Sequence, residues 1–250
     1  MRTVVSALLW VVLGGLILVW LPLLALIFVG TAPFDPGRYT VGRWFRRAAV
    51  AAVRLIPFWD FRTEGVVIDD PRRPYVAVAN HESFADIFLI SHLPWEMKWL
   101  SKDAIFRIPI MGWMMRMAGD IAVERGRRDS RSRAIAQVHD RLEKNVSVII
   151  LPEGTRSPDG ELLPFRNGAF RVAIARQLPV LPIAVAGTRH AMAKHSLRFG
   201  RARAIARVLE PIETVGMTLD DVPALRDRVR SLISEARAEL QARLATPAPA

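Results

Sequence analysis

His81 and Asp86 stand five residues apart in Asn80-His81-Glu82-Ser83-Phe84-Ala85-Asp86, between two apolar runs. A histidine with a pKa near ~6.5 accepts a proton at neutral pH, and a carboxylate on its other ring nitrogen fixes the tautomer and stabilises the imidazolium. On one continuous helix the two side chains would diverge by about 140°. The spacing therefore predicts His81 in a turn, with Asp86 reaching back from the first turn of a following helix. Ser83-Phe84-Ala85-Asp86 also matches a helix capping box, so a structural duty for Asp86 stands beside the catalytic one. Ala85 occupies the place where a zincin would carry its second histidine, and no G-x-S-x-G supplies a hydrolase serine. With no cysteine in the chain, a thiol nucleophile is excluded. A His-Asp pair of this kind points to a nucleophile that belongs to the substrate, and an acceptor hydroxyl fits.

Three more segments follow in order: Gly119-Asp120-Ile121-Ala122-Val123-Glu124-Arg125, Leu151-Pro152-Glu153-Gly154-Thr155-Arg156-Ser157 and Leu178-Pro179-Val180-Leu181-Pro182-Ile183. Together with Asn80–Asp86 they resemble the NHxxxxD, arginine-bearing, EGTRS and proline-containing blocks of the glycerolipid (1-acylglycerol-3-phosphate) acyltransferase family. Ala122 and Leu151 depart from that pattern, where members often carry an aromatic residue. The resemblance implies an α/β fold, a mixed sheet flanked by helices with an N-terminal membrane-anchoring motif. It also implies transfer of a fatty acyl group from acyl-CoA or acyl-carrier protein to lysophosphatidate, with no metal and no bound cofactor. Another lysolipid acceptor, such as a lyso-ornithine lipid or lysophosphatidylcholine, is the alternative within enzymes. A catalytically silent lipid-binding adaptor is the alternative outside them.

On this reading His81 and Asp86 are catalytic, and Arg125, Glu153, Gly154, Thr155, Arg156 and Lys102 form the substrate-binding set. Arginine offers a phosphate monoester a planar, bidentate fork, which gives Arg125 and Arg156 independent chemical sense. Lys102 lies in a segment that also resembles the family. Glu153 organises Arg156, binds the acceptor, or pairs structurally with a nearby cation. The apolar stretch Ile105–Met117, rich in methionine, reads first as core; the resemblance implies an acyl-chain tunnel. His92, His139, His190 and His195 show no metal-ligand spacing.

These groups need a scaffold, and short apolar runs at Tyr75–Ala79, Val146–Leu151 and Val180–Ala186 predict buried strands. Helices are predicted over 130–144, where Ala134, Ile135, Val138 and Leu142 share a face, and over Val222–Leu244. No charged residue interrupts Val4–Val29, long enough as a helix to match a hydrocarbon layer of roughly 30 Å. Arginines at 38, 43, 46, 47 and 54 follow it, interleaved with aromatic residues, as in a helix lying among headgroups. This divides the chain into an anchor at 1–61, an acyltransferase domain at 62–244 and a flexible tail at 245–250. The excess of arginine after the apolar run sets the catalytic domain on the cytoplasmic face; with the family resemblance, a bacterial inner membrane is the expected location. A net charge of +11, from 35 Lys+Arg against 24 Asp+Glu, beside 51% hydrophobic residues suits anionic membrane lipids rather than nucleic acid.

Overall fold

The computed structural model describes residues 2–124, 126–157, 160–193 and 196–246. Two helices open the chain, α1 (Arg2–Thr31) and α2 (Tyr39–Arg54), followed by strand β1 (Trp59–Gly65). The remaining elements alternate as β2 (Val76–Ala79), α3 (Asp86–Ile90), β3 (Met97–Lys102), α4 (Asp103–Phe106), α5 (Met111–Ala118), β4 (Ile121–Val123) and α6 (Arg128–Glu143). They continue as β5 (Ser147–Ile150), α7 (Gly168–Arg176), β6 (Val180–Ala186), β7 (Ala202–Val208) and α8 (Val222–Ala245). The strands form one mixed sheet in the order β1-β7-β6-β2-β5-β3-β4. From β6 to β4 all neighbours run parallel; β7 turns against β6, and β1 lies parallel to β7.

Both faces of the sheet are covered, which is why its central strands read as unbroken apolar runs. Along β2, Val76 and Val78 pack with α6, α7 and α8, while Ala77 and Ala79 pack toward α3, as the two-residue period of a strand requires. On the α3 side lie α1 and α2, whose Leu9, Leu13, Ala52 and Val53 share a cluster with Ala85, Trp59 and Phe199. α6 buries Ser130, Ala134, Val138 and Leu142, but Ile135 is 43% exposed at the margin of that stripe. The helix starts two residues earlier than predicted, at Arg128, and Arg127 before it forms no side-chain cap.

The N-terminal pair is built into the domain. α2 buries Arg46, which ion-pairs with Asp120 and, at 3.5 Å, with Glu96; Lys98 Nζ lies 3.0 Å from the same Glu96 oxygen. This arginine therefore faces the protein, contrary to its expected place among headgroups. The boundary drawn at residue 61 falls inside β1, and α8 carries the chain through Ala245. Residues 247–250 of the expected tail lie outside the described residues.

Candidate active site

Parallel strands deliver their C-terminal ends to one edge, and the loops leaving β2, β5, β3, β4 and β6 meet there. Asn80 prolongs the pairing of β2 with β6: its amide donates to Val185 O at 2.9 Å, and Val185 N–H donates to its Oδ1 at 2.7 Å. The next residue, His81, is thereby fixed as the chain leaves the sheet.

His81 Nδ1 lies 2.7 Å from Asp86 Oδ2, with the histidine half-buried and the aspartate fully buried. The same oxygen accepts the backbone N–H groups of Glu82 at 2.9 Å and Ser83 at 3.1 Å. Ser83 Oγ in turn accepts Ala85 N–H at 3.1 Å. Only the carboxylate half of the predicted capping box forms, because Ser83 Oγ takes Ala85 N–H rather than that of Asp86 and the helix starts after Ala85 with no side-chain cap; the carboxylate holds the turn and the imidazole. Because an ionised carboxylate only accepts, Nδ1 carries the proton and Nε2 keeps its lone pair.

The second oxygen of Asp86 accepts the hydroxyl of buried Thr188, from the turn after β6. Thr188 also lies 3.5 Å from Glu82 Oε2, which accepts Gly187 N–H at 3.0 Å; Glu82 Oε1 pairs with Arg237 of α8 at 3.1 Å. Burial pushes the Glu82 carboxyl above its usual range, and the charge of Asp86 adds to this, while Arg237 opposes it. Thr188 and Arg237 were not found from the sequence. They stand 102 and 155 residues from their partners, and neither sits in a recognisable spacing.

Glu153 occupies the loop after β5. Its Oε1 accepts His81 N–H at 2.6 Å and its Oε2 accepts Leu163 N–H at 2.9 Å, so the carboxylate staples two loops together. Burial raises its pKa, and the two backbone bonds oppose that shift. Gly154 adopts φ +69°, and a Cβ there would come within 2.9 Å of the Arg166 guanidinium carbon. Arg166, another residue missed from sequence, thus lies over the loop. Thr155 is exposed and Arg156 half-buried in the same loop, and Ser157 N–H donates to His81 O at 3.4 Å. Lys102 ends β3 and is exposed, level with Val123 of β4. Arg125 and His195 lie outside the described residues. In the methionine-rich stretch Met114 packs with Leu24 and Val41, joining anchor to domain, whereas Ile108 and Trp113 are exposed.

The arrangement is a proton acceptor at a sheet edge, beside a glycine-bearing loop with two arginines. A family model described as Acyltransferase matches residues 62–186. The chain is similar to human 1-acyl-sn-glycerol-3-phosphate acyltransferase alpha, 36% identical over 162 residues, covering 64% of this chain and 57% of that protein. It is 30% identical to the 1-acyl-sn-glycerol-3-phosphate acyltransferase of Saccharomyces cerevisiae over 173 residues, covering 68% and 57%. The matches span from 36% to 57% of the length of the curated relatives. The crystal structure of the 1-acyl-sn-glycerophosphate (LPA) acyltransferase PlsC from Thermotoga maritima superposes with a TM-score of 0.77, at 25% identity and over 100% of both chains.

Proposed function

We propose that this chain, which belongs to the acyltransferase family, transfers a fatty acyl group from a thioester to the free hydroxyl of lysophosphatidate, giving phosphatidate. The observation that carries this reading is the His81–Asp86 pair, around which the hydroxyls of Ser83 and Thr188 are already engaged. Ser83 Oγ donates to Met192 O at 2.7 Å, and the Thr188 hydroxyl is spent on Asp86. The nucleophile is therefore the acceptor's. His81 Nε2 takes its proton as the oxygen attacks the thioester carbonyl, and Asp86 stabilises the imidazolium. Collapse of the tetrahedral intermediate breaks the carbon–sulfur bond, and the imidazolium returns its proton to the departing sulfur.

Arg156 and Arg166 at the β5 loop, with Lys102 at the end of β3 and Arg125 beyond β4, supply positive charge for the acceptor phosphate. Glu153 acts by holding His81 and the cation-bearing loop in register. Gly154 gives that loop its left-handed turn under Arg166, and Thr155 lines its exposed side. Water-soluble acyl-CoA or acyl-carrier protein supplies the acyl group.

The site belongs at a membrane surface. α1 is long and apolar enough to cross a bilayer. Yet Ser6, Leu9, Leu13 and Leu24 are buried against the domain, while Val4, Leu8, Val11, Val19, Leu26 and Val29 are exposed on other faces. A helix docked along its length lies in the plane of one leaflet, its bare stripe in the acyl chains and the arginines near anionic headgroups. The excess of arginine after α1 supports the cytoplasmic leaflet as the one that carries the catalytic domain.

The deciding assay offers detergent-purified protein a panel of lysolipids with each thioester. Lysophosphatidate is expected to be the preferred acceptor, and a strong preference for a lysolipid lacking a phosphate monoester would overturn the headgroup assignment. Arg156→Ala should lower kcat/KM for lysophosphatidate far more than slow thioester hydrolysis, with only partial recovery in Arg156→Lys, which keeps charge but loses the fork.

A further inference from the structure

A helix lying in one leaflet gives the protein a line of contact, and a line alone leaves the domain free to roll about the helix axis. A second contact off that axis would fix the roll. Leu197, in the loop after β6, is 72% exposed. A leucine exposed singly on a soluble surface needs no explanation. This one is held against the flank of α1. Trp10 Nε1 donates to the Leu197 carbonyl at 2.8 Å, the Trp10 ring lies 5.1 Å from that of Phe199, and Phe199 N–H donates to Ser6 Oγ at 3.1 Å.

The level of this contact follows from α1 itself. Ser6, Leu9 and Leu13 face the domain, whereas Val4, Leu8 and Val11 project from the opposite side. At ~100° per residue Trp10 stands between those two faces, and an exposed indole on a lipid-facing helix favours the headgroup level. A helix about 10 Å across with its apolar face ~5–10 Å deep brings a loop on its flank to the boundary between acyl chains and headgroups. Leu197 suits the apolar side of that boundary. Exposed Arg198, its neighbour, suits anionic phosphates on the other side. A protein partner could cover Leu197 only by displacing lipid from the adjoining stripe of α1.

The root of the same loop is at the catalytic pair. Gly200 N–H donates to Ala191 O at 2.8 Å and Ala191 N–H to Thr188 O at 2.9 Å, which closes the loop at its neck. Thr188 holds Asp86, and Met192 O takes the Ser83 hydroxyl at 2.7 Å. A surface touching the tip of the loop is therefore brought to the sheet edge that carries His81.

We propose that Leu197 and Arg198 form a second membrane contact beside α1, Leu197 at the acyl-chain boundary and Arg198 among anionic headgroups, which sets the roll of the domain so that the His81 edge meets the leaflet holding the acceptor. The proposal rests on the acyl-transfer reading and on the in-plane placement of α1.

The test uses the full chain in vesicles of phosphatidylcholine and phosphatidylglycerol. With no native cysteine, Leu197→Cys, Val11→Cys and Val215→Cys each carry one environment-sensitive fluorophore. Val215 is as exposed as Leu197 but lies at the far end of the sheet, where Gly216 N–H donates to Gln177 Oε1 at 2.6 Å ahead of β6. Labels at positions 197 and 11 should shift to the blue and be quenched by a nitroxide carried high on the acyl chain, and the label at 215 should behave as in water. A label at 197 that stays in water while the one at 11 is quenched overturns the proposal and leaves α1 in place. Quenching at 11 chiefly by a nitroxide at the chain end overturns the in-plane placement, and the proposal with it. Leu197→Glu gives a measurement free of any label: kcat/KM for vesicle-borne lysophosphatidate should fall about fivefold at unchanged melting temperature, with Val215→Glu within about twofold of wild type. A wild-type rate in Leu197→Glu overturns the proposal. Arg198→Gln should lose about threefold on the mixed vesicles and nothing on phosphatidylcholine alone, and an equal loss on both overturns the choice of an anionic headgroup. Quenching at 197 without transfer to any lysolipid would keep the membrane contact and sink the acyl-transfer reading.

Discussion

At the scale of single residues, the proposed chemistry rests on an imidazole whose freedom is removed from three directions. Asp86 fixes the ring, Glu153 fixes the backbone N–H, and Thr188 fixes Asp86. His81→Ala should cut acyl transfer by roughly 10²–10⁴-fold while leaving the melting temperature close to wild type. Activity within threefold of wild type would remove His81 from the mechanism. Thr188→Val leaves Asp86 Oδ1 without its hydroxyl partner, so the expected loss falls on kcat with little change in either KM, and Thr188→Ser should restore it. Equal loss in both variants would mark a packing defect instead. Glu82 gives a pH signature. Its folded carboxyl, raised by burial and by Asp86, binds the proton more tightly than the unfolded chain does. Its contribution to stability is therefore complete below the unfolded carboxylate range and declines as pH rises through the folded value. Melting curves from about pH 4 to about pH 7 should show a shallower decline in Glu82→Gln than in wild type, the remainder coming from Glu96 and Glu153, whose carboxyls burial also raises. The His-Asp pair was legible in the sequence because both ends lie in one turn. Thr188, Arg166 and Arg237 were not, because only the sheet brings them to it.

Elements show the same division between local and long-range causes. β2, β5 and β6 were readable from their apolar runs, since burial on both faces leaves no polar alternation to confuse them. α2 was misread in part, because its periodicity reveals that one side is apolar but not that a charged residue on the other side has a buried partner. Arg46, Glu96, Lys98 and Asp120 form a buried ionic cluster joining α2, β3 and the start of β4. Gly42 makes room for it: a Cβ there would lie 2.1 Å from Glu96 Oε1 and 2.4 Å from Lys98 Nζ. Burial pushes the Lys98 pKa down and the Glu96 pKa up, so each carries its charge only through its neighbours. Arg46→Ala strands two carboxylates beside one lysine and should destabilise the protein by about 3–5 kcal/mol. Exposed Arg47, the next residue in the chain but outside the cluster, provides the contrast: Arg47→Ala should change stability by less than about 0.5 kcal/mol. Chemical denaturation in a mild detergent measures both, and similar values for the two would mean that the cluster does not hold α2 to the domain. Deleting residues 1–61 should accordingly unfold the protein rather than release an intact domain, since it removes Arg46 and the first strand residues together.

For the whole molecule, the question is how a helix of membrane-spanning length coexists with a domain that grips it. At ~1.5 Å per residue α1 is about 45 Å long, and it touches the domain at both ends. Near its start Ser6 Oγ accepts Phe199 N–H at 3.1 Å, and Trp10 Nε1 donates to Leu197 O at 2.8 Å. Toward its end Leu24 packs against Val41 and Met114. A helix crossing the bilayer would have to carry one of these contacts, with its polar backbone partners, into hydrocarbon or across it, where unsatisfied groups cost several kcal/mol each. In the proposed in-plane arrangement that cost does not arise, because the bare apolar stripe would meet lipid. The chain contains no cysteine, so single introduced thiols report cleanly on sidedness. Thr3→Cys and Ala32→Cys place them at the exposed ends of α1. In cells expressing the protein, an impermeant maleimide should label neither thiol from outside intact spheroplasts and both in inverted membrane vesicles. Labelling of Thr3→Cys from outside, with Ala32→Cys reached only in inverted vesicles, would mean that α1 spans the membrane and that its contacts with Phe199 and Leu197 are broken there. Transfer activity retained in both variants would tie the sidedness to the working enzyme.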